Sequence, residues 1–159
     1  MNRLLISTLL TAAALSGCRS SQPSAKLPDN GGGGQVDVRT YQRVDTLNYT
    51  GTGYLKMITV RKNYSLVSFV FEAGGRNRWH LHPGAEQVLY VTEGEGYYQQ
   101  EGQPKQLLRK GETVVIPPDV KHWNGATPTS RVVLITISDH VEQAHVTWFE
   151  QVSEQEFNQ

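Results

Sequence analysis

Short runs of β-branched and aromatic residues alternate with turn residues along most of this 159-residue chain. Short runs of β-forming residues bounded by turn residues are the sequence signature of strands. The pattern predicts strands at residues 54–60, 66–71, 87–92, 96–100, 113–116 and 132–138. Glycine, proline and charged residues predict turns at 74–75, 93–94, 101–104 and 110–112. This regular spacing is typical of an all-β sandwich or barrel.

A short helix is predicted only at the end of the chain, at residues 153–158. Ser153 is a suitable N-cap, and Glu156 stands at the capping-box position three residues later. The expected fold is therefore all-β with one short C-terminal helix.

The N-terminal residues follow another pattern. Arg3 supplies a positive charge, and residues 4–15 are apolar or small. The stretch is shorter than the roughly 20 apolar residues that span a bilayer, so it indicates an export signal. It ends in Leu-Ser-Gly-Cys, which resembles the bacterial lipobox, and Cys18 is the single cysteine of the chain. We expect residues 1–17 to be a lipoprotein signal peptide and Cys18 to carry the lipid.

Residues 18–35 are predicted to be a flexible linker, because they are rich in Ser, Gln, Pro and Asn and end in four glycines. Residues 36–159 then form one domain. The expected location is the bacterial cell envelope, facing the periplasm and anchored to the membrane through Cys18. Arg19 provides no aspartate retention signal, which favours the outer membrane.

Composition narrows the function classes. The chain has 15 basic and 15 acidic residues and a net charge of zero, which argues against a nucleic-acid surface. Hydrophobic residues make up 38%, with fifteen glycines and seven prolines, as suits a turn-rich globular domain rather than a disordered chain. A small molecule is the expected partner.

The candidate chemistry lies in a histidine cluster. His80 and His82 would point to one face if they lie on a strand, and His122 follows later in the chain. Three imidazoles at this spacing predict a metal site. A fourth ligand is available from either Glu86 or Gln87, and strand alternation places Gln87 on the apolar face shared with Leu89 and Val91.

These residues resemble the two motifs of the cupin family. The first motif is matched in spacing by Gly74, His80, His82, Gln87 and Gly94, and the second by Gly111, Pro117, Asp119 and His122. The chain departs from the pattern at three positions. Gln87 replaces the usual glutamate, Asp119 a turn glycine, and Ala126 a final asparagine.

The resemblance implies a double-stranded β-helix, the cupin jelly-roll barrel, and commonly a homodimer. It implies that a divalent metal ion, one of Mn, Fe, Ni, Co, Zn or Cu, is held by His80, His82, Gln87 and His122. The motif has six residues between the ligand and the closing glycine, and residues 88–93 fill this gap between Gln87 and Gly94, which favours Gln87 over Glu86 as the ligand. A neutral amide leaves more of the ion's charge uncompensated than glutamate would.

A closer resemblance is to small cupins of the carboxymuconolactone decarboxylase type, a group that includes hydroxynitrile lyases. It rests on Trp79-His80, residues 94–99, Ile116-Pro117-Pro118 and His122-Trp123. The group often has a histidine where this chain has Asn124, which can orient a substrate but cannot carry a proton near neutral pH.

The expected function is therefore an enzyme of lyase, decarboxylase or dioxygenase type, acting on a small oxygen-rich substrate by Lewis-acid activation. Asn124 and one of Arg76 and Arg78 would position that substrate, although a solvated face is the alternative for the arginines. The alternative function is a non-catalytic binding or sensing module. His140 and His145 fit no motif and are not expected to be ligands. Trp79, Trp123, Tyr97 and Tyr98 are expected to serve packing.

Overall fold

The computed structural model describes residues 36–139 and 145–159. The predicted signal peptide, Cys18, the linker and His140 lie outside these ranges. The strands are β1 (Gln42–Arg43), β2 (Tyr49–Thr50), β3 (Gly53–Val60), β4 (Tyr64–Phe71), β5 (Arg76–Asn77), β6 (His80–Leu81), β7 (Gln87–Gln100), β8 (Gln106–Arg109), β9 (Thr113–Ile116), β10 (His122–Ala126), β11 (Val132–Asp139) and β12 (Thr147–Trp148). A 3-10 turn spans Val38–Thr40, and helix α1 spans Glu154–Asn158.

The strands pair antiparallel in the order β1-β3-β4-β11-β7-β10-β5-β2. The long strand β7 joins two sheets: its first half pairs with β11 and β9, and its second half with β10 and β8. The two-residue strand β6 lies between β10 and β12. The sheet curls into a half-barrel, which confirms the predicted all-β class.

The inner faces of both sheets form the main core. It is built from alternate residues of the long strands, because their period of two points every second side chain inward. Its buried members include Phe71, Leu89, Val91, Tyr98, Leu108, Ile116, Ala126, Val132 and Leu134. The inward alternation of Gln87, Leu89 and Val91 along β7 agrees with this arrangement, since all three side chains are buried.

The predicted turn at 93–94 is wrong, because β7 runs through it without a break. Gly94 has a φ of 72°, and the pairing with β11 shifts register between Val133 and Leu134. A Cβ on Gly94 would lie 1.9 Å from the carbonyl oxygen of Arg131. Glycine is thus required for a bulge that bends the strand from one sheet into the other.

Strands β8 and β10 were not predicted. All five residues of β10 are buried, so the segment lacks the alternation of a half-exposed strand. Strands β1, β2, β5, β6 and β12 have two residues each, which is too short for a periodic signal. Two of these short or buried strands, β6 and β10, nevertheless carry two of the predicted metal ligands.

Helix α1 has the predicted capping box: the Ser153 hydroxyl accepts from the Glu156 backbone N–H, and the Glu156 carboxylate accepts from the Ser153 N–H. Its buried Phe157 packs with Trp79, Trp123 and Val152 in a second apolar cluster. The prediction that both tryptophans serve packing is confirmed. In the described part of the chain, no helix is long and apolar enough to cross a membrane.

Candidate metal centre

Three histidines meet at one end of the core. His80 on β6 lies directly opposite His122 on β10 in the antiparallel register, and His82 immediately follows β6. One ring nitrogen from each residue lies within 4.8 Å of the corresponding atoms of the other two. The three nitrogens are thus close to one another, and the group could hold a metal ion.

The main chain orients two of these rings. The Nδ1–H of His80 donates to the carbonyl of Arg78 at 2.9 Å, and the Nδ1–H of His122 donates to the carbonyl of Val120 at 2.8 Å. Because Nδ1 carries the proton in both rings, Nε2 keeps its lone pair free for a ligand bond. The Nε2 atom of His82 is buried and has no hydrogen-bond partner among the residues that the structure describes.

The protonation state of the cluster suits metal binding. Burial is the main reason that the pKa of His80 lies well below its ordinary value, and the nearby His122 and His82 lower it further. Burial lowers the pKa of His82 as well, and that of His122 to about 4. All three imidazoles are therefore neutral at pH 7, which is the form that coordinates a metal. Neutral nitrogen donors and an orphaned buried Nε2 atom fit a divalent ion.

The two candidates for a fourth ligand lie in different environments. Gln87 is buried, and its Oε1 lies 3.3 Å from His122 Nε2. Its amide Nε2 donates to the Ser138 hydroxyl at 3.3 Å, which holds the carbonyl oxygen toward the histidines. Glu86 is exposed, and its backbone N–H donates to Asp139. The structure therefore brings Gln87 to the cluster and leaves Glu86 outside it.

The loop of the second motif supports His82. Asp119 has a φ of 64°, the left-handed conformation expected where the motif usually has glycine. Its carboxylate accepts from the Gly84 N–H at 3.1 Å, and its own N–H donates to the His82 carbonyl at 3.2 Å. Asp119 thus connects the two motif loops and fixes the backbone next to His82.

A cavity of about 60 Å³ opens beside the histidines. It is lined by Tyr49, Phe69, Asn77, His80, His82, Gln87, Asn124, Thr136, Val146 and Trp148. Asn124 lies two residues after His122 on the same strand face, as its predicted role requires. Its backbone N–H donates to the side-chain oxygen of Asn77 at 2.8 Å. Two amide side chains therefore face the same space as the imidazoles.

No arginine of the described residues lines this cavity, so the structure does not bring Arg76 or Arg78 to the histidines. Arg76 is buried and pairs with Glu154 at 2.6 Å, with its guanidinium over the ring of Phe157. It therefore fastens the C-terminal helix to β5, which also excludes a solvated face for this residue. Arg78 donates to the carbonyl of Leu47 at the surface.

The aromatic side of the cavity has no counterpart among the residues predicted from the sequence. Tyr49 and Trp148 both line it, but they lie on two-residue strands far from either motif. Only tertiary structure brings them to the histidines, so no local pattern marked them. His145 is exposed and does not line the cavity, in agreement with its exclusion as a ligand.

Comparison with known proteins gives a consistent family relationship. The family model described as "Cupin domain" matches residues 67–138. The chain is 34% identical over 112 residues to an (R)-mandelonitrile lyase from Granulicella tundricola, covering 69% of this chain and 85% of that protein.

Solved structures agree. A cupin-like protein from Thermotoga maritima superposes with a TM-score of 0.72 and 38% sequence identity, covering 77% of this chain and 96% of that one. A DMSP lyase, DddQ, from Ruegeria pomeroyi superposes with a TM-score of 0.57 over 76% of this chain and 62% of its own, at 15% identity. The second likeness is one of fold alone.

Proposed function

This chain belongs to the cupin family, and from that premise we propose that it is a metal-dependent lyase acting on a small oxygen-bearing molecule. The observation that carries the proposal is the group of three neutral imidazoles facing a cavity that is also lined by Gln87 and two asparagine side chains. The lyase name of a relative with 34% identity supports this reaction class over the decarboxylase and dioxygenase alternatives.

His80, His82 and His122 hold the ion in this proposal, and Gln87 is the fourth ligand. The Gln87 Oε1 lies 3.3 Å from the His122 Nε2, so the two atoms are close enough to be neighbouring ligands of one ion. A bound divalent ion would act as a Lewis acid toward a substrate oxygen. All four protein ligands are neutral, so they cancel none of its charge.

Asn124 orients the substrate. Its buried amide can donate to a hydroxyl or carbonyl oxygen and accept from a hydroxyl, and it keeps one protonation state across the physiological range. Asn77 holds the backbone of Asn124 in place and presents a second amide to the cavity. These residues bind and align the substrate, and neither transfers a proton.

Metal uptake is the first test. The wild-type protein, purified without chelator, is expected to contain about one equivalent of a divalent metal by elemental analysis, and His82→Ala is expected to lose it, because the variant keeps only two of the three imidazoles. His145→Ala is the matched control, since that histidine lies outside the cavity. Absence of metal in the wild type under every loading condition would contradict the proposal.

Turnover is the second test. The metal-loaded protein is assayed for carbon–carbon bond cleavage on a panel of hydroxynitriles, hydroxy acids and keto acids, with dioxygen uptake followed in parallel. Aldehyde or ketone release without dioxygen consumption is expected. Dioxygen consumption at the same rate as product formation would show that the protein is a dioxygenase and not a lyase.

One observation favours a second function, a binding or sensing module without catalysis. Among the described residues that line the cavity, Tyr49 is the only titratable group besides the histidines, and burial raises its pKa to about 12. A site without a proton carrier near neutral pH suits capture of a ligand as well as chemistry. Stoichiometric binding of panel compounds without turnover would support this alternative.

We also propose that the protein is a lipoprotein of the cell envelope. The support is the lipobox-like sequence before Cys18, which lies outside the described residues. Incorporation of radioactive palmitate by the full chain, and its loss in Cys18→Ser, would support the anchor. An unlabelled wild type recovered in the soluble periplasmic fraction would contradict it.

A further inference from the structure

Trp148 lies in register with the metal-ligand candidates. It is directly opposite His80 in the pairing of β12 with β6, and His80 is opposite His122 in the pairing of β6 with β10. Residues opposite each other on neighbouring strands share one face of a sheet. The indole ring accordingly lies 5.1 Å from the His80 ring, at an interplanar angle of 36°.

The segment that carries Trp148 is firmly attached. We call residues 146–150 the C-terminal strap. The Phe149 N–H donates to the Trp79 carbonyl at 2.8 Å, and the Trp79 N–H donates to the Glu150 carbonyl at 3.1 Å. Lys121 pairs with Glu150 at 2.7 Å and lies 4.9 Å from the centre of the Phe149 ring. The strap therefore holds the indole in a fixed position at the cavity.

A second aromatic ring completes this wall. Tyr49 contacts Trp148 edge-on, with ring centres 5.7 Å apart, and lies 6.4 Å from Phe69. All three rings line the cavity, whose volume is about 60 Å³. A cavity that admits benzene measures about 150 Å³. The space between the wall and the histidines is thus too small for an aryl group.

We propose that Trp148 is a specificity-determining residue that limits the substrate to a short aliphatic group on its oxygen-bearing carbon. The inference rests on the proposed function, since it concerns the group that a metal-bound substrate turns toward the aromatic wall. This size limit would distinguish the substrate of this chain from that of any relative that acts on a compound with an aromatic ring. Removing the indole enlarges the space next to His80 and admits larger groups.

The test uses two chelating probes that differ only in their side group, acetohydroxamate and benzohydroxamate. Their affinities for the zinc-loaded full chain are measured by calorimetry, and each is divided by the probe's affinity for free zinc. The wild type is expected to favour acetohydroxamate by about tenfold or more, the size of effect that pocket shape produces. Trp148→Ala is expected to reverse the preference, and Trp148→Phe to give an intermediate ratio.

Tyr90→Ala is the matched control, because this exposed aromatic residue lies on the outer face of β7, away from the cavity. It should keep the wild-type ratio. Zinc content and thermal unfolding are measured for every variant. If Trp148→Ala does not fold, the affinity ratio of Trp148→Phe decides the outcome.

The outcomes separate the two proposals. Zinc uptake with no preference for acetohydroxamate, or with a ratio unchanged in both Trp148 variants, overturns this inference and leaves the proposed function standing. The expected ratios without lyase turnover support the inference and contradict the lyase. Failure of the wild type to bind zinc or any other divalent metal overturns both.

Discussion

Gln87 determines the charge of the candidate site. Its amide is buried beside His122 and is held by Ser138, whereas the neighbouring carboxylate of Glu86 faces the solvent. A divalent ion at three neutral imidazoles and an amide keeps its full formal charge. The site should therefore bind the ion less tightly than a site with a carboxylate ligand would. The bound ion should also be a stronger Lewis acid toward a substrate oxygen.

Gln87→Glu is expected to bind zinc at least about tenfold more tightly, because a carboxylate adds direct charge attraction in a buried site. Turnover should fall at the same time, since the ion becomes less electrophilic. Competition with a chelator measures the affinity. Glu86→Gln removes one carboxylate from the next position and should leave the zinc affinity unchanged. The opposite result would make Glu86 the ligand.

The depressed histidine pKa values make the metal-free protein sensitive to acid. Burial lowers the pKa of His122 from 6.5 to about 4, so the unfolded chain binds more protons than the folded one between these values. The contribution of neutral His122 to the free energy of unfolding is therefore fully present above pH 6.5 and is lost as the pH falls toward 4. At about 1.4 kcal/mol per pKa unit, His122 accounts for roughly 3 kcal/mol of this loss.

Urea unfolding of the metal-free protein at pH 7 and at pH 4.5 measures the effect. The free energy of unfolding should fall more steeply with pH in the wild type than in His122→Gln, because the variant lacks the titrating ring. Parallel pH profiles for the two proteins would contradict the assignment.

Among the secondary-structure elements, β7 has the most demanding geometry. It belongs to both sheets, and the bend that makes this arrangement possible is at Gly94. Gln87 and the pairing partners of β10 lie on the two halves of this one strand. A disturbance at the bend would therefore change the position of the fourth ligand relative to His122.

Gly94→Ala is expected to destabilise the protein by at least about 3 kcal/mol, because the new Cβ would combine a left-handed backbone with a collision at the Arg131 carbonyl oxygen. Gly102→Ala is the control. Gly102 has a similar φ of 74° but no atom within 4 Å of the added Cβ, so the cost should be only about 1 kcal/mol. If denaturant unfolding gave the same loss of stability for both variants, the collision with the Arg131 carbonyl oxygen would not be the cause of the larger cost expected for Gly94→Ala.

The predictability of each element follows from its periodicity and length. Strands β3, β4, β9 and β11 were predicted because each is a run of β-branched and aromatic residues bounded by turn residues. The turn at 93–94 was misassigned, since glycine serves a bulge and a turn for the same conformational reason. The histidines were found through motif spacing. Trp148 and Tyr49 were not found, because their places at the site depend on which short strands pair.

On the scale of the whole molecule, the outer face of the first sheet exposes an apolar band. Strand registers place Leu66, Ile137, Val88 and Val115 side by side across four strands. Ile137 is 39% exposed and Val115 is 55% exposed, which is unusual for adjacent apolar side chains on a soluble surface. The homodimer expected for this family would cover the band if two copies met face to face about a two-fold axis.

Light scattering of the mature domain at micromolar concentration is expected to give the mass of a dimer. The double variant Val115→Lys with Ile137→Lys should be monomeric, because opposed lysines would repel each other and bury charge. Gln106→Lys, at an exposed position of β8, is the control and should remain dimeric. A monomeric wild type, or a double variant that remains dimeric, would exclude this interface.

The carbonyl groups that orient His80 and His122 both come from the residue two positions earlier in the chain, Arg78 and Val120. Every amino acid supplies the same carbonyl, so ring alignment does not depend on the side chain at either position. A substitution at residue 78 that preserves the backbone should therefore leave the orientation of the His80 ring unchanged. Each of these two rings is oriented by a main-chain segment of only three residues, ending at the histidine itself.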